Sequence, residues 1–521
     1  MSTRAAAIIL ALPVLGLAAQ REASPPPSST IKVGTRLVQV DVLVHGKSGP
    51  ITGLTRDDFT VLDQGRPQKI AVFQSAADLA VSAAAAGTLP VPAGAISNRV
   101  NRGGRPLPGA TVLLLDLMNT QFDNQGYARA QLLKYLQSLH GTEQVAIYAL
   151  GKSLRIVQDF TDDPQKLIDA VHHMDPKLNE LVIPSLEHMD DTDLKMYAMS
   201  EGLYAQKRGE MTEQAIQKIA EHLSGMSGRK SLVWLSDAPG FNGVQYLARA
   251  NVNLYPVQVR TLGGSGPRSG SQTINPWTPA TAYLYDGKTI NGIAPSNELA
   301  LRARNEAVAA SRGGVGFADA RDLGRAVAQA EEDATHTYTL GFYPAEETLD
   351  GKVHNLTVSV TGRPAKPSLE LRYRPYYFAA TSQQISGAPA DIQAARAAAT
   401  VHAAFESPLN ASGIGLAAKA TAAGNGYSVD LTVDLRDLHF ELQNNRHVAL
   451  VEVNYLLERA TSLQTRALKI QLTDAELPDA LKGGLRVQNT FAVDGNAALR
   501  IVVRDPATGL LGSLRVPLLH P

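Results

Sequence analysis

The chain contains no cysteine. That excludes disulfides, thiolate metal sites and cysteine nucleophiles, and leaves the compartment open, because many exported proteins lack disulfides. An excess of charge of one sign is also missing. Lys plus Arg and Asp plus Glu both total 49, for a formal net charge of zero. Nothing in that balance favours nucleic acid, whose partners carry basic surfaces. Enzyme signatures are absent too: there is no G-x-S-x-G elbow, no Walker A loop and no G-x-G-x-x-G after a strand. Gly263-Gly-Ser-Gly-Pro has the wrong spacing for an elbow and reads as a flexible loop. The 12 histidines are scattered, and His172-His173 has no H-E-x-x-H context, so zinc is not expected.

Long apolar runs are lacking except near the start. Arg4 precedes AAAIILALPVLGLAA, with small residues Gly16, Ala18 and Ala19 before a polar REASPPPSS. A positive n-region, a short apolar stretch and a small-residue cleavage site make residues 1–20 an export signal. The run is too short for a comfortable span, and no other run is long enough, so no transmembrane segment is expected after cleavage. The expected location is secreted or periplasmic. At 521 residues the chain exceeds one core, and two to four domains are expected.

What is present begins with LVQVDVLV, where Val38, Val40, Val42 and Val44 alternate as in a half-buried strand. Thr55 with Asp58 three residues on reads as a cap. Asp63-Gln-Gly65 separates two strand-like runs, a hairpin signature. This β segment, 30–75, is too small to close a core alone. Residues 76–108 shift to Ala, Gly, Pro, Asn and Arg and read as a linker.

From Thr111 to about 336 the grammar is strand–helix alternation. TVLLLD, QVAIYAL, SLVWLS and VNLYPVQV are apolar runs typical of strands covered on both faces, and RIVQDF is another strand. Helical spacing follows in Leu132, Leu133, Leu136 and Leu139. Asp163-Pro164 opens a helix with proline at its first position, and Thr212 opens another. Gly314-Val-Gly-Phe reads as a last short strand, and residues 263–295 as a long loop. The expected fold class is therefore α/β, a doubly wound, mostly parallel sheet over 109–336. β patterns return at 337–380, expected to pack with 30–75 so that the α/β unit is inserted between them. A separate β-sandwich is expected over 400–521.

In such sheets ligands bind beyond the carboxyl ends of the strands. Asp116 closes the first strand in D-L-M-N-T, Thr120 follows four residues later, Thr212 stands at an expected helix start, and Asp237 closes SLVWLS. Two carboxylates and two hydroxyls are hard oxygen donors suited to a hydrated Mg²⁺ or Mn²⁺, which keeps several waters. Each residue has a plainer reading as well. A strand-end Asp is often a turn or cap residue, and Thr212 alone reads as an N-cap. The run from Glu187 to Asp193 reads as a solvated loop more readily than as a cation site.

These four positions resemble the metal-ion-dependent adhesion site of von Willebrand factor type A domains, whose first loop is D-x-S-x-S, followed by a distant Thr and Asp. Asp116, Thr120, Thr212 and Asp237 match it. Met118 departs from it, since a thioether is not a hard oxygen. GLTRDDFTVLDQGRPQKIAVF, NVNLYPVQVR and YTLGFYP add a likeness to exported von Willebrand A-related proteins of the Acidobacteria type, over about residues 30–380. The resemblance implies a non-enzymatic, adhesion-type module that takes a protein partner at the carboxyl edge of its sheet, with a divalent cation as bridge. Two other classes stay open: a metal-assisted hydrolase of the envelope, and a structural envelope component without metal.

Overall fold

The alternating valines of LVQVDVLV form the strand Val38–Gly46, and its partners come from the far side of the α/β unit. In the computed structural model, Val38 stands opposite Phe342 and Val42 opposite both Tyr338 and Tyr373. The structure describes the chain from Val38 onward, apart from residues 76–77, 79–90, 140–143, 175–190, 227–228, 238–242, 260–304, 346–349, 362–368, 380–389, 459–462, 520–521 and a few single positions and pairs. The export signal at 1–20, the loop at 263–295 and the run Glu187–Asp190 lie outside the described residues.

Two layers, of five and four strands, make the first sandwich, with the short Gly49–Pro50 paired to Val38–Gly46 off the main order of the first. One runs Glu370–Tyr373, Val38–Gly46, Tyr338–Phe342, Val72–Ser75. The other runs Tyr376–Ala379, Lys352–Val360, Phe59–Asp63, Arg66–Gln68. Val40, Val42, Val61, Leu340, Phe342 and Val358 share one core between them. Neither the 38–75 strands nor the 338–379 strands hold both layers alone, so each half completes the other. The hairpin after Asp63 turns through Gln64 and Gly65 at φ 48° and 80°. Those two positive angles suit the two-residue turn that matches strand twist, and Gly65 takes the second without a Cβ clash.

Between the halves, one sheet has the order Leu154–Thr161, Val145–Leu150, Gly109–Asp116, Arg229–Ser236, Val252–Gln258. All neighbours are parallel except the antiparallel Leu154–Thr161 edge. Phe317 adds only an isolated parallel bridge to Val257, so the expected last strand is reduced to one contact. Alternation sends Leu113 and Leu115 toward the helices Phe122–Leu136, Pro164–His172 and Leu323–His336. Val112 and Leu114 point the other way, toward Asp191–Ser224 and Val244–Arg249. Helices cover both faces, as the unbroken apolar strands require. Asp163 caps Pro164–His172, accepting from the Gln165 and Lys166 amides.

A second sandwich follows the helix Ala390–Glu406. Its layers are centred on Gly426–Val433 and on Arg446–Leu457 with Ala497–Arg504, and Leu431, Val451, Val453, Ile501 and Leu514 fill the space between. Residues 76–108 were expected to be a linker, but part of this stretch is built into that sandwich. Ile96–Ser97 forms a two-residue edge strand beside Ala417 and Ala418. Asn98 is buried; its Nδ2 donates to the Ala411 and Ile414 carbonyls (2.7 and 2.8 Å), and its Oδ1 accepts from the Leu416 amide (2.7 Å). Arg99 pairs with Asp437. A polar stretch of this kind has no periodicity to announce it, because its anchoring comes from hydrogen bonds rather than from apolar burial.

Joints between the units cluster at the amino ends of the parallel strands. Asn251, just before Val252, donates to Asp41 of the first sandwich (2.8 Å). Arg374 donates to the Ala248 carbonyl. Asp333 bridges Arg229, the first residue of its strand, to Arg372 of the first sandwich. On the other side, the Glu221 carbonyl accepts from the Ser412 amide, and His222 meets the Asn410 carbonyl at 2.6 Å. Among the described residues no helix is long and apolar enough to cross a membrane.

Candidate functional site

Asp116 and Asp237 reach the same edge because Gly109–Asp116 and Arg229–Ser236 are adjacent and parallel, with Leu115 opposite Leu235. All four candidate positions converge there. One arrives by another route than expected: Thr212 is not at a helix start but inside the 34-residue helix Asp191–Ser224. Its preference for caps suggested a start, yet its hydroxyl is used tertiarily instead, buried against the loop after Asp116.

The hydrogen bonds define what the site does. Asp116 is fully buried, at 0% exposure. Its Oδ1 accepts from the Asn119 amide at 3.0 Å. Its Oδ2 accepts from Asn119 Nδ2 and from Trp234 Nε1, both at 2.9 Å. Burial raises the Asp116 pKa above its ordinary value, and the Asn119 and Trp234 donors oppose that rise by stabilising the anion. Asn119 Nδ2 also donates to Thr212 Oγ1 at 3.0 Å, so its two amide hydrogens span the gap between carboxylate and hydroxyl. Thr120 Oγ1 accepts from the Asp237 amide at 3.3 Å. Asp237 Oδ2 accepts from the Gln121 amide and Asn124 Nδ2, both at 2.8 Å. Gln121 is the N-cap of Phe122–Leu136 and supplies no side-chain cap of its own, so Asp237 places a negative charge at that positive helix end from a neighbouring strand. Gln125 Nε2 pins the loop by donating to the Leu117 and Thr120 carbonyls (2.9 and 3.0 Å).

This donor set does not fit a directly held divalent cation. A hard cation needs oxygen lone pairs facing a shared point. Here N–H donors face both Asp116 oxygens and the Thr212 oxygen. Met118 turns away into the core beside Val112, Leu114 and Ile216 and supplies no hard oxygen ligand. Among the described residues no group of three or more His, Asp or Glu stands together as a metal site.

Asn119, Trp234, Gln125 and Ser236, whose hydroxyl donates to the Asn119 carbonyl at 3.3 Å, complete the network and were not singled out by the motif. Asn119 lies past the strand end, where the chain turns after Asp116, so strand alternation stops and the amide swings inward. A signal for it exists in the sequence, since Asp116 and Asn119 are separated by three residues, the reach of a side chain closing on its own turn. Trp234 had a signal as well. It is opposite Leu114 on a buried face, and a buried indole N–H needs an acceptor.

No family model and no curated protein matches this chain. Among solved structures, it is similar to an aerotolerance-related membrane protein from Bacteroides fragilis at 11% identity, over 43% of this chain and 98% of that one, with TM-score 0.26. BatB from Bacteroides thetaiotaomicron gives 11% identity, the same coverages and TM-score 0.24. The vWF domain of the type V pili tip protein Mfa5 from Porphyromonas gingivalis gives 13% identity over 25% of this chain and 38% of that one, with TM-score 0.16. Likenesses at such identities and TM-scores carry no argument about this chain.

Proposed function

We propose that this chain is an exported, non-enzymatic protein-binding module of the secreted or periplasmic kind, in which the α/β unit offers the carboxyl edge of its sheet to a partner protein. The observation that carries this reading is where the joints sit. Asn251, Arg229 with Asp333, Ala248, and Glu221 with His222 in the last turn of the helix Asp191–Ser224 all tie the α/β unit to the sandwiches from the amino side of the sheet. Eight-residue strands at about 3.3 Å per residue put the opposite edge roughly 26 Å away. The sandwiches act as a mount, and the edge around Asp116 and Asp237 is the end held outward.

The hydrogen-bonded network keeps that edge rigid, which lowers the ordering cost of an encounter. Asp116 spends its lone pairs on three N–H donors, which favours a structural role over activation of a water. Gln121 and Lys152 are exposed at this edge and serve as probes. In a pull-down from the envelope fraction, Gln121→Arg or Lys152→Glu should cut capture at least about tenfold, a loss of about 1.4 kcal/mol. Arg466→Glu, on the second sandwich, should leave capture unchanged. Equal capture by all three variants would reject the edge as the binding surface. Turnover of generic ester, phosphate or glycoside substrates by the purified chain would reject the non-enzymatic reading in favour of a hydrolase.

A further inference from the structure

We infer that this edge works without a cation, with the side-chain amide of Asn119 occupying the bridging role between Asp116 and Thr212 that a divalent ion would otherwise take. The geometry admits one orientation of that amide. With Nδ2 facing inward, its two hydrogens reach Asp116 Oδ2 at 2.9 Å and Thr212 Oγ1 at 3.0 Å. Flipped, the amide oxygen would face the Asp116 carboxylate oxygen in a repulsive contact, and a hydrogen bond accepted from the Thr212 hydroxyl would not restore the lost donor to that carboxylate. The backbone amide of Asn119 donates to the other carboxylate oxygen at 3.0 Å, so a single residue meets both oxygens of Asp116. Trp234 Nε1–H adds a third donor from the sheet itself. An N–H aimed at an oxygen excludes a metal from the same lone pair. Met118, packed into the core below, leaves no hydroxyl to compete with this arrangement.

Two neighbouring positions therefore work together. The residue that would have been a ligand is apolar and buried, and the residue after it brings the positive end of an amide dipole to the place where a cation's charge is needed. The donors belong to the chain itself, two in the loop and one on the sheet, so the edge is set as the chain folds and does not depend on metal supply. This inference rests on the proposed function only for its consequence, that partner capture at this edge survives chelation. Its test uses the chain alone, so a failure here and a failure of the binding reading are told apart.

The test is thermal unfolding of the full chain carrying Trp277→Phe, the wild-type reference, followed by the fluorescence of Trp234 in the α/β sheet, after exhaustive EDTA treatment and again in millimolar Mg²⁺ or Mn²⁺. Wild type should unfold at the same temperature in all three, within about 1 °C. A rise of about 3 °C or more with either ion, the size expected when an ion is well above its Kd, would overturn the inference. The isosteric variant Asn119→Asp gives the second reading. It removes both amide hydrogens and sets one carboxylate against another. In EDTA it should unfold at least about 4 °C below wild type. An unchanged transition in that variant would show that the amide bridges nothing, and would equally overturn the inference.

Discussion

Replacing Asp333 by alanine is the sharpest test of how the α/β unit is mounted. Asp333 is on the helix Leu323–His336 with its side chain at 0% exposure. Its Oδ1 accepts from Arg372 (2.7 Å) and Gln329 (2.9 Å). Its Oδ2 accepts from Tyr255 (2.7 Å), Arg372 (3.3 Å) and, more distantly, Arg229 (3.5 Å). Two guanidiniums thus share one carboxylate, and Arg229 is as buried as its partner, at 1% side-chain exposure. Asp333→Ala leaves Arg229 charged and enclosed. Its other partners, the Gly313 carbonyl, Thr337 and Tyr255, are neutral. Removing one partner of a buried pair costs about 3–5 kcal/mol, and the lost Tyr255 bond belongs to the same network and does not add in full. Unfolding of several units is not a single two-state event, so the readout must report the α/β unit. Trp234 does this once Trp277, the second of the two tryptophans, is changed to Phe. Urea unfolding followed by Trp234 fluorescence should show a loss of about 3–5 kcal/mol. Asp333→Asn, which keeps the shape and one acceptor, should fall between that value and wild type. A loss under about 1 kcal/mol for Asp333→Ala would place this carboxylate among weak surface pairs and refute the view that it bolts the two units together.

Asp116→Ala should destabilise the α/β unit by about 2–4 kcal/mol, because it orphans the buried Trp234 and Asn119 donors; the same Trp234 unfolding assay reads it, and a neutral result would contradict the network. Asn98→Ala removes three hydrogen bonds to the second sandwich. Amide exchange at Leu416 should accelerate by at least about tenfold, and unchanged protection would mean the edge strand does not depend on Asn98. His222 is buried between the α/β unit and the second sandwich, stacked on Phe160. Burial depresses its pKa below the ordinary value, against the opposing hydrogen bond to Asn410. The unfolded chain then binds the proton first, so stability is full above about pH 6.5 and falls by up to about 1.4 kcal/mol per unit below it. His222→Gln should flatten that slope in pH-dependent urea titrations, and an unaltered slope would assign it to other groups.

Some of this protein could be read directly from local chemistry. The turn at Asp63-Gln-Gly65, the cap at Asp163-Pro164 and the unbroken apolar strands SLVWLS and TVLLLD follow from backbone sterics and from burial on two faces, which neighbouring residues determine among themselves. The convergence of Asp116 and Asp237 was legible too, because strand ends in a parallel sheet share one edge; Thr212 reaches that edge from inside a helix, a route the sequence did not announce. Tertiary structure decided the rest. The pairing of Val38 with Phe342 uses backbone hydrogen bonds that every residue offers, and only the need to complete a shared core selects the partner. Ile96–Ser97 is too short to carry a period, so its place was fixed by Asn98 finding carbonyls more than three hundred residues away. The choice between Met118 and Asn119 lies just past a strand end, where alternation no longer dictates direction. There the fold turned the thioether into the core and the amide toward Asp116, because an apolar side chain gains by burial and a buried carboxylate must be met by donors.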